Sequence, residues 1–182
     1  MTTVRTLPSR GPFTRADLEL MPDDGHRYEL LDGVLLVSPA PRPLHQRAVG
    51  NLYLLLRAAC PPELEVLFAP LDVVLAEDTV LEPDLLVARR DQFTESELPG
   101  PPLLAVEVLS PSTRRIDLLL KRDRLQAAGC PSYWLVDPDE PSITALELVD
   151  GRYVEVARVT GAAAWTASAP FPVTVVPDDL VR

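Results

Sequence analysis

The chain has 182 residues, 47% hydrophobic and 24% charged, a composition that fits one globular domain and excludes wholesale disorder. Its net charge of −10 argues against non-specific adhesion to nucleic acid, and its two cysteines, Cys60 and Cys130, are too few for a disulfide scaffold and lack the CxxC spacing of a zinc site. No apolar run approaches the ~20 residues of a membrane span, and MTTVRTLPSR has no apolar stretch after its charges, so a cytoplasmic protein without a signal peptide is expected.

Pro8 and Pro12 mark residues 1–12 as a loose arm, and Thr14 before ADLELM starts a short capped helix. RYELL and VLLVS around Asp32-Gly33 predict a hairpin with a type I′ turn. After the stiff stretch PAPRP (39–43), Val49, Leu52, Leu55, Leu56 and Ala59 recur at helical spacing from about Leu44 to Ala59, and Pro61-Pro62 stops the helix. Three strands follow, over 64–75 with a bulge at Pro70, over 81–88, and over 103–109, the last two joined by the polar loop RRDQFTESELPGPP. Residues 114–128 read as a helix capped by Ser112 or Thr113 and ended by Gly129 and Pro131. YWLVD (133–137) is a strand, ITALELV and RYVEVARV form a hairpin at Asp150-Gly151, and VTVV (173–176) supplies one more strand. With no internal repeat and only two main helices, residues 1–182 read as a single α+β domain with a mixed sheet rather than a doubly wound one.

Three residues stand out within this order. Glu107 interrupts LLAVEVL, a strand apolar on both faces, where a carboxylate is costly to bury unless it is paired, hydrogen-bonded or bound to metal. It could also lie at the strand end and meet solvent or an arginine. Asp84 follows Pro83 ahead of an apolar run; Pro-Asp by itself also marks a turn where a strand begins. If the two strands are neighbours, two acids enter one apolar sheet and repel unless a cation neutralises them or one takes a proton. Hard cations such as Mg²⁺ accept one or two carboxylates plus waters. All but one of the 17 basic residues are arginine, and the single lysine, Lys121, shares a helical stripe with Leu118, Leu125 and Ala128. Its stem could be buried with the head snorkelling to water. Placed near the acids instead, it would complete a site for phosphodiester hydrolysis, holding a nucleophilic water or facing developing negative charge.

The runs PDLLVAR and AVEVLSPSTRRIDLLLKRDRLQAAGCPSYWLVDP, with YELLDG upstream, resemble the Uma-type putative restriction endonucleases of the PD-(D/E)xK nuclease superfamily over residues 26–150. The resemblance implies a restriction-endonuclease-like core of helix, three strands, helix and strand, with hairpins added at both ends, and the element order read above agrees with it. It makes Asp84 and Glu107 the motif's two acids. Leu109 stands where the motif usually has lysine, so Lys121 takes the place of a lysine migrated to the following helix. The resemblance also adds the main-chain carbonyl of Val108 as a metal ligand, Glu29 as an upstream acid, and His45 and Gln46 as accessory residues on a helix that approaches the metal. Glu29 could equally be a solvent-facing hairpin residue.

Around that helix, Arg114, Arg115, Lys121, Arg122 and Arg124 against Asp117 and Asp123 give residues 110–126 a local charge of +3. Arg114, Arg115 and Arg122 are candidate phosphate-facing residues, or else a solvated face. The expectation is a Mg²⁺- or Mn²⁺-dependent endonuclease acting on DNA, active as a homodimer because double-strand cleavage needs two sites. The alternative is a non-catalytic nuclease-fold protein that binds protein or nucleic acid, which the acidic balance favours. Hydrolysis of another phosphate ester is a third reading, but not through a GxxxxGK[ST] loop, which the sequence lacks.

Overall fold

The structure is a computed structural model that describes residues 12–22, 24–111 and 113–182. The expected arm over residues 1–12, Pro12 apart, and the candidate cap Ser112 lie outside the described residues. Helix α1 (Arg15–Leu18) is one turn, with the Thr14 amide and hydroxyl both donating to Asp17. Strands β1 (Arg27–Leu31) and β2 (Val34–Ser38) pair antiparallel across a turn in which Asp32 and Gly33 take φ of 51° and 74°, the positive values a type I′ turn needs. Helix α2 (Pro43–Ala59) begins on a proline, whose missing N–H costs nothing there, and buries His45, Ala48, Val49, Leu52 and Leu56.

Two expected strands each divide in two. The stretch 64–75 forms β3 (Leu64–Phe68) and β4 (Asp72–Ala76), and the stretch 81–88 is served by β5 (Thr79–Leu81) and β6 (Leu85–Arg89). A proline, Pro70 or Pro83, lies in each gap. Proline has no N–H to give to a ladder, and at both breaks the chain changes sheets instead of bulging. The polar loop before β8 (Leu104–Val108) contains the short β7 (Glu97–Pro99), parallel to β4. The expected 114–128 helix opens with a π-helical stretch, Ile116–Lys121, and continues as α3 (Arg122–Ala128), closed by Gly129 at φ 83°.

Strand β9 (Ser132–Asp137) precedes the expected hairpin, β10 (Ser142–Val149) and β11 (Arg152–Thr160). Strands β12 (Trp165–Ala167) and β13 (Val173–Val175) pair with each other as a separate two-stranded sheet among the described residues, and α4 (Pro177–Leu180) follows.

The larger sheet has the order β11-β10-β9-β8-β6-β3, and the smaller one β2-β1-β5-β4-β7. In the larger sheet β3, β6 and β8 are antiparallel neighbours and β9 runs parallel to β8. With α2 before these strands and α3 between β8 and β9, the core is helix, three strands, helix, strand, in an α+β fold with a mixed central sheet. Alternation along β8 sends Leu104, Val106 and Val108 into the cluster that holds Leu52 and Leu56 of α2. Ala105 and Leu109 pack on the opposite face with Leu125 of α3, and the period of two puts Glu107 on that face as well. Among the described residues no helix is long and apolar enough to cross a membrane.

The α2 contact with the sheet is expected to carry much of the stability. Leu52→Ala, at a fully buried position, should cost ~2–5 kcal/mol, whereas Leu54→Ala, at a position 65% exposed, should stay within about 0.5 kcal/mol of wild type by urea unfolding.

Candidate active site

The two sheets part at Glu82-Pro83-Asp84, and the parting gathers ionisable side chains from five segments. Strand β1 of the smaller sheet brings Arg27 and Glu29, two residues apart and therefore on one face. The β5–β6 connection brings Glu82 and Asp84, β8 brings Glu107, and the first turn of α2 brings His45. The π-helical stretch turns both Asp117 and Lys121 inward. Such wide turns cost helical regularity and occur often where a side chain must be re-aimed for function.

Lys121 is at the centre, with 1% of its side chain exposed. Its Nζ lies 2.8 Å from Glu29 Oε1, 3.1 Å from Glu107 Oε1 and 3.6 Å from Asp117 Oδ1. The head does not snorkel; it is sealed among three carboxyl groups from three different elements. Asp84 is held from three sides. Its Oδ2 accepts the Val108 N–H at 2.8 Å and faces His45 Nε2 at 3.1 Å, while its Oδ1 accepts Arg27 Nη1 at 2.8 Å. Arg27 also donates to the Glu82 carbonyl at 3.2 Å and places its Nε 3.6 Å from Glu29 Oε2. The Thr113 hydroxyl donates to Asp117 Oδ2 at 2.7 Å, and the Tyr133 hydroxyl donates to the Asp117 carbonyl at 2.9 Å.

Five acidic side chains (Glu29, Glu82, Asp84, Glu107 and Asp117) thus share a buried site with the permanent cations Arg27 and Lys121. Burial pushes Asp84 up, but the bond with His45, the Arg27 charge and the Val108 amide outweigh it and bring its pKa down to about 2. Burial dominates at Glu107 and, despite Lys121, raises it well above the usual carboxylate range. Burial likewise raises Asp117, and burial with Glu29 and Asp72 nearby brings Glu82 to about 7. For Lys121 burial works against the charge, and Glu107, Glu29 and Asp117 overcome it, so the pKa rises and the ammonium persists. Among the described residues, two buried carboxyl oxygens, Glu82 Oε2 and Asp117 Oδ1, have no hydrogen-bond partner.

A cavity of about 620 Å³ opens on one side of the site, lined by Arg27, His45, Gln46, Glu82, Asp84 and Thr113 among others. A smaller one of about 160 Å³ touches Glu29, Asp117 and Lys121. Glu107 lines neither cavity. Of the residues singled out in the sequence, Glu29, Asp84, Glu107, Lys121, Val108 and His45 come together here, with Gln46 exposed on the cavity wall. Arg114, Arg115 and Arg122 line neither cavity, and Arg114 pairs with Asp137.

Arg27, Glu82, Asp117 and Thr113 escaped the sequence reading as site residues. Spacing could have found three of them: Arg27 is two residues before Glu29 on a strand, Asp117 is four before Lys121 on a helix, and Glu82 is two before Asp84. Among the described residues no group of three or more His, Cys, Asp or Glu side chains is arranged to hold a metal ion.

Comparison with known proteins adds two findings. The model of the family described as "Uma2: Putative restriction endonuclease" matches residues 15–177. Among solved structures, the chain is similar to a putative nuclease belonging to DUF820 from Anabaena variabilis, with a TM-score of 0.76 and 17% identity over 93% of this chain and 98% of that one. At that identity the likeness is one of fold. No curated protein matches.

Lys121→Met is expected to lower stability by roughly 3–5 kcal/mol in urea unfolding at neutral pH, because it leaves the buried acids without their shared cation. The double variant Lys121→Met/Glu107→Gln should lie closer to wild type than the single variant. If it is the less stable of the two, the lysine does not act as the counter-charge to Glu107.

Proposed function

The chain belongs to the Uma2 putative restriction endonuclease family and has a nuclease-like fold, and from that premise we propose that it is a divalent-metal-dependent endonuclease acting on DNA. One observation carries the reading: two buried acids stand on adjoining strands, Asp84 at the start of β6 on the wall of the cavity and Glu107 on β8, where it lies 3.1 Å from the only lysine of the chain. The donor set suits a hard cation. It offers carboxylate oxygens, the ligands that Mg²⁺ and Mn²⁺ prefer, in excess over the protein's own cations, and among the described residues two of those oxygens, Glu82 Oε2 and Asp117 Oδ1, accept no hydrogen bond.

Asp84 and Glu107 would hold the cation, with the Val108 carbonyl as a further ligand. When bound, such a cation polarises the phosphate and makes a bound water more acidic. Lys121 keeps its charge and would orient the attacking water or face the negative charge that develops on the phosphate. Glu29 and Asp117 hold the ammonium in place for that role, and His45 and the Val108 amide hold Asp84 ionised. Gln46 on the cavity wall is positioned to meet the substrate. Arg114 and Arg115, exposed and directly after Thr113 of the cavity lining, would meet the phosphate backbone outside it, with Arg122 further along the helix. Cutting both strands would call for a second copy of the chain, and a dimer would also gather more basic groups against the net charge of −10.

The test is cleavage of supercoiled plasmid, single-stranded and branched DNA with Mg²⁺ or Mn²⁺. Asp84→Ala and Glu107→Gln should each reduce the rate by about 100-fold or more while the proteins remain folded. Unchanged cutting by Asp84→Ala would sink the site assignment. Absence of cutting by folded wild type on every substrate would move the reading to a non-catalytic binding module, which the acidic balance favours.

A further inference from the structure

Resting on the metal-site reading above, we propose that Arg27 is a displaceable counter-cation: its guanidinium neutralises Asp84 while no divalent cation is bound, and has to leave the Asp84 carboxylate for one to bind. The two permanent cations of the site differ in their freedom to move. Lys121 is 1% exposed and pairs with three carboxyl groups, so moving it would strip three buried acids of their cation at once. The Arg27 side chain is 20% exposed and lines the 620 Å³ cavity together with Asp84. The guanidinium thus borders the open space into which it would move.

The contacts of Arg27 are those a metal would have to replace. Its Nη1 donates to Asp84 Oδ1 at 2.8 Å, and its Nε lies 3.6 Å from Glu29 Oε2. The other Asp84 oxygen is already engaged by the Val108 amide and His45. Arg27 therefore occupies the Asp84 oxygen that the Val108 amide and His45 leave free, and a cation taking that oxygen would meet it as a like charge. Burial disfavours the Arg27 charge, and the pull of Glu29, Glu107 and Asp84 more than restores it, so the guanidinium stays charged.

The experiment is calorimetric titration of the full-length protein with Mn²⁺, comparing wild type, Arg27→Met, Arg27→Lys and Asp84→Asn, with circular dichroism to verify folding. Arg27→Met removes the competing charge at similar length and should bind Mn²⁺ about 10-fold more tightly than wild type, a factor equivalent to ~1.4 kcal/mol. Arg27→Lys keeps the charge and should stay near wild type. A gain in affinity is a result that a merely structural arginine would not give. If Arg27→Met does not fold without metal, Arg27→Gln takes its place with the same expected direction. Wild-type binding that Asp84→Asn abolishes, combined with equal or weaker binding by the neutral Arg27 variant, overturns the role of Arg27 and leaves the metal site standing. No Mn²⁺ binding by any of the folded proteins overturns both.

Discussion

A carboxylate taken out of water has to find a cation, hydrogen-bond donors or a proton, and the parting of the two sheets collects five acidic side chains at once. Lys121 answers for three of them and Arg27 for Asp84 and Glu29. Neutral donors add to this, the Val108 amide on Asp84, the Glu82 amide on Glu29 and the Thr113 hydroxyl on Asp117, while Glu82 Oε2 accepts no hydrogen bond among the described residues. Even so, the balance stays on the acidic side, which is why burial drives Glu82, Glu107 and Asp117 upward while Asp84, with the best set of partners, goes down. A core built only for stability would do better with apolar residues of the same volume. The concentration of charge is therefore best understood as a cost that the fold carries for chemistry.

The backbone arrangement that makes this possible depends on two prolines. Pro70 and Pro83 each lie in a gap between two strands, and each gap passes the chain from one sheet to the other. The second break leaves Asp84 at the start of β6, outside the ladder, so that its side chain can reach the Val108 amide on β8 while β8 itself presents Glu107. On the other side, β1 of the smaller sheet delivers Arg27 and Glu29 into the same space. The site is thus a product of the sheet junction, and neither sheet alone contains it.

Much of this was legible in the sequence, and the parts that were not share a cause. Helix α2, the two hairpins with Asp-Gly turns and strands β8 and β9 declare themselves by local pattern: helical spacing, turn chemistry, continuous apolar runs. Glu107 was visible because a carboxylate in LLAVEVL violates its surroundings, and Lys121 because it is the only lysine in an arginine-rich chain. The sheet switches were hidden because a proline in an apolar run reads equally as a bulge and as a break, and only tertiary pairing decides between them. Strand β7 was hidden because three residues in a polar loop carry no period. Asp117 was counted with the helix's surface charge, since its inward aim comes from the π-helical turn, which a 3.6-residue periodicity does not anticipate.

The two basic residues of the site also explain why one of them is a lysine. Lys121 must satisfy three oxygens that arrive from three elements in three directions, inside a space with almost no access to water. A compact ammonium with three donors on a rotatable head meets that demand, whereas a planar guanidinium would present its donors in one plane and need a larger hole. Arg27 faces the opposite problem: it has to bridge Asp84, the Glu82 carbonyl and Glu29 from the wall of an open cavity, and a flat fork with several donors spans such a spread where a point charge would not. In a chain whose other basic residues are all arginine, the site keeps its lysine where three oxygens converge on one small head. Lys121 is thereby the fixed charge, held by three carboxyl groups, and Arg27 the one that borders the larger cavity.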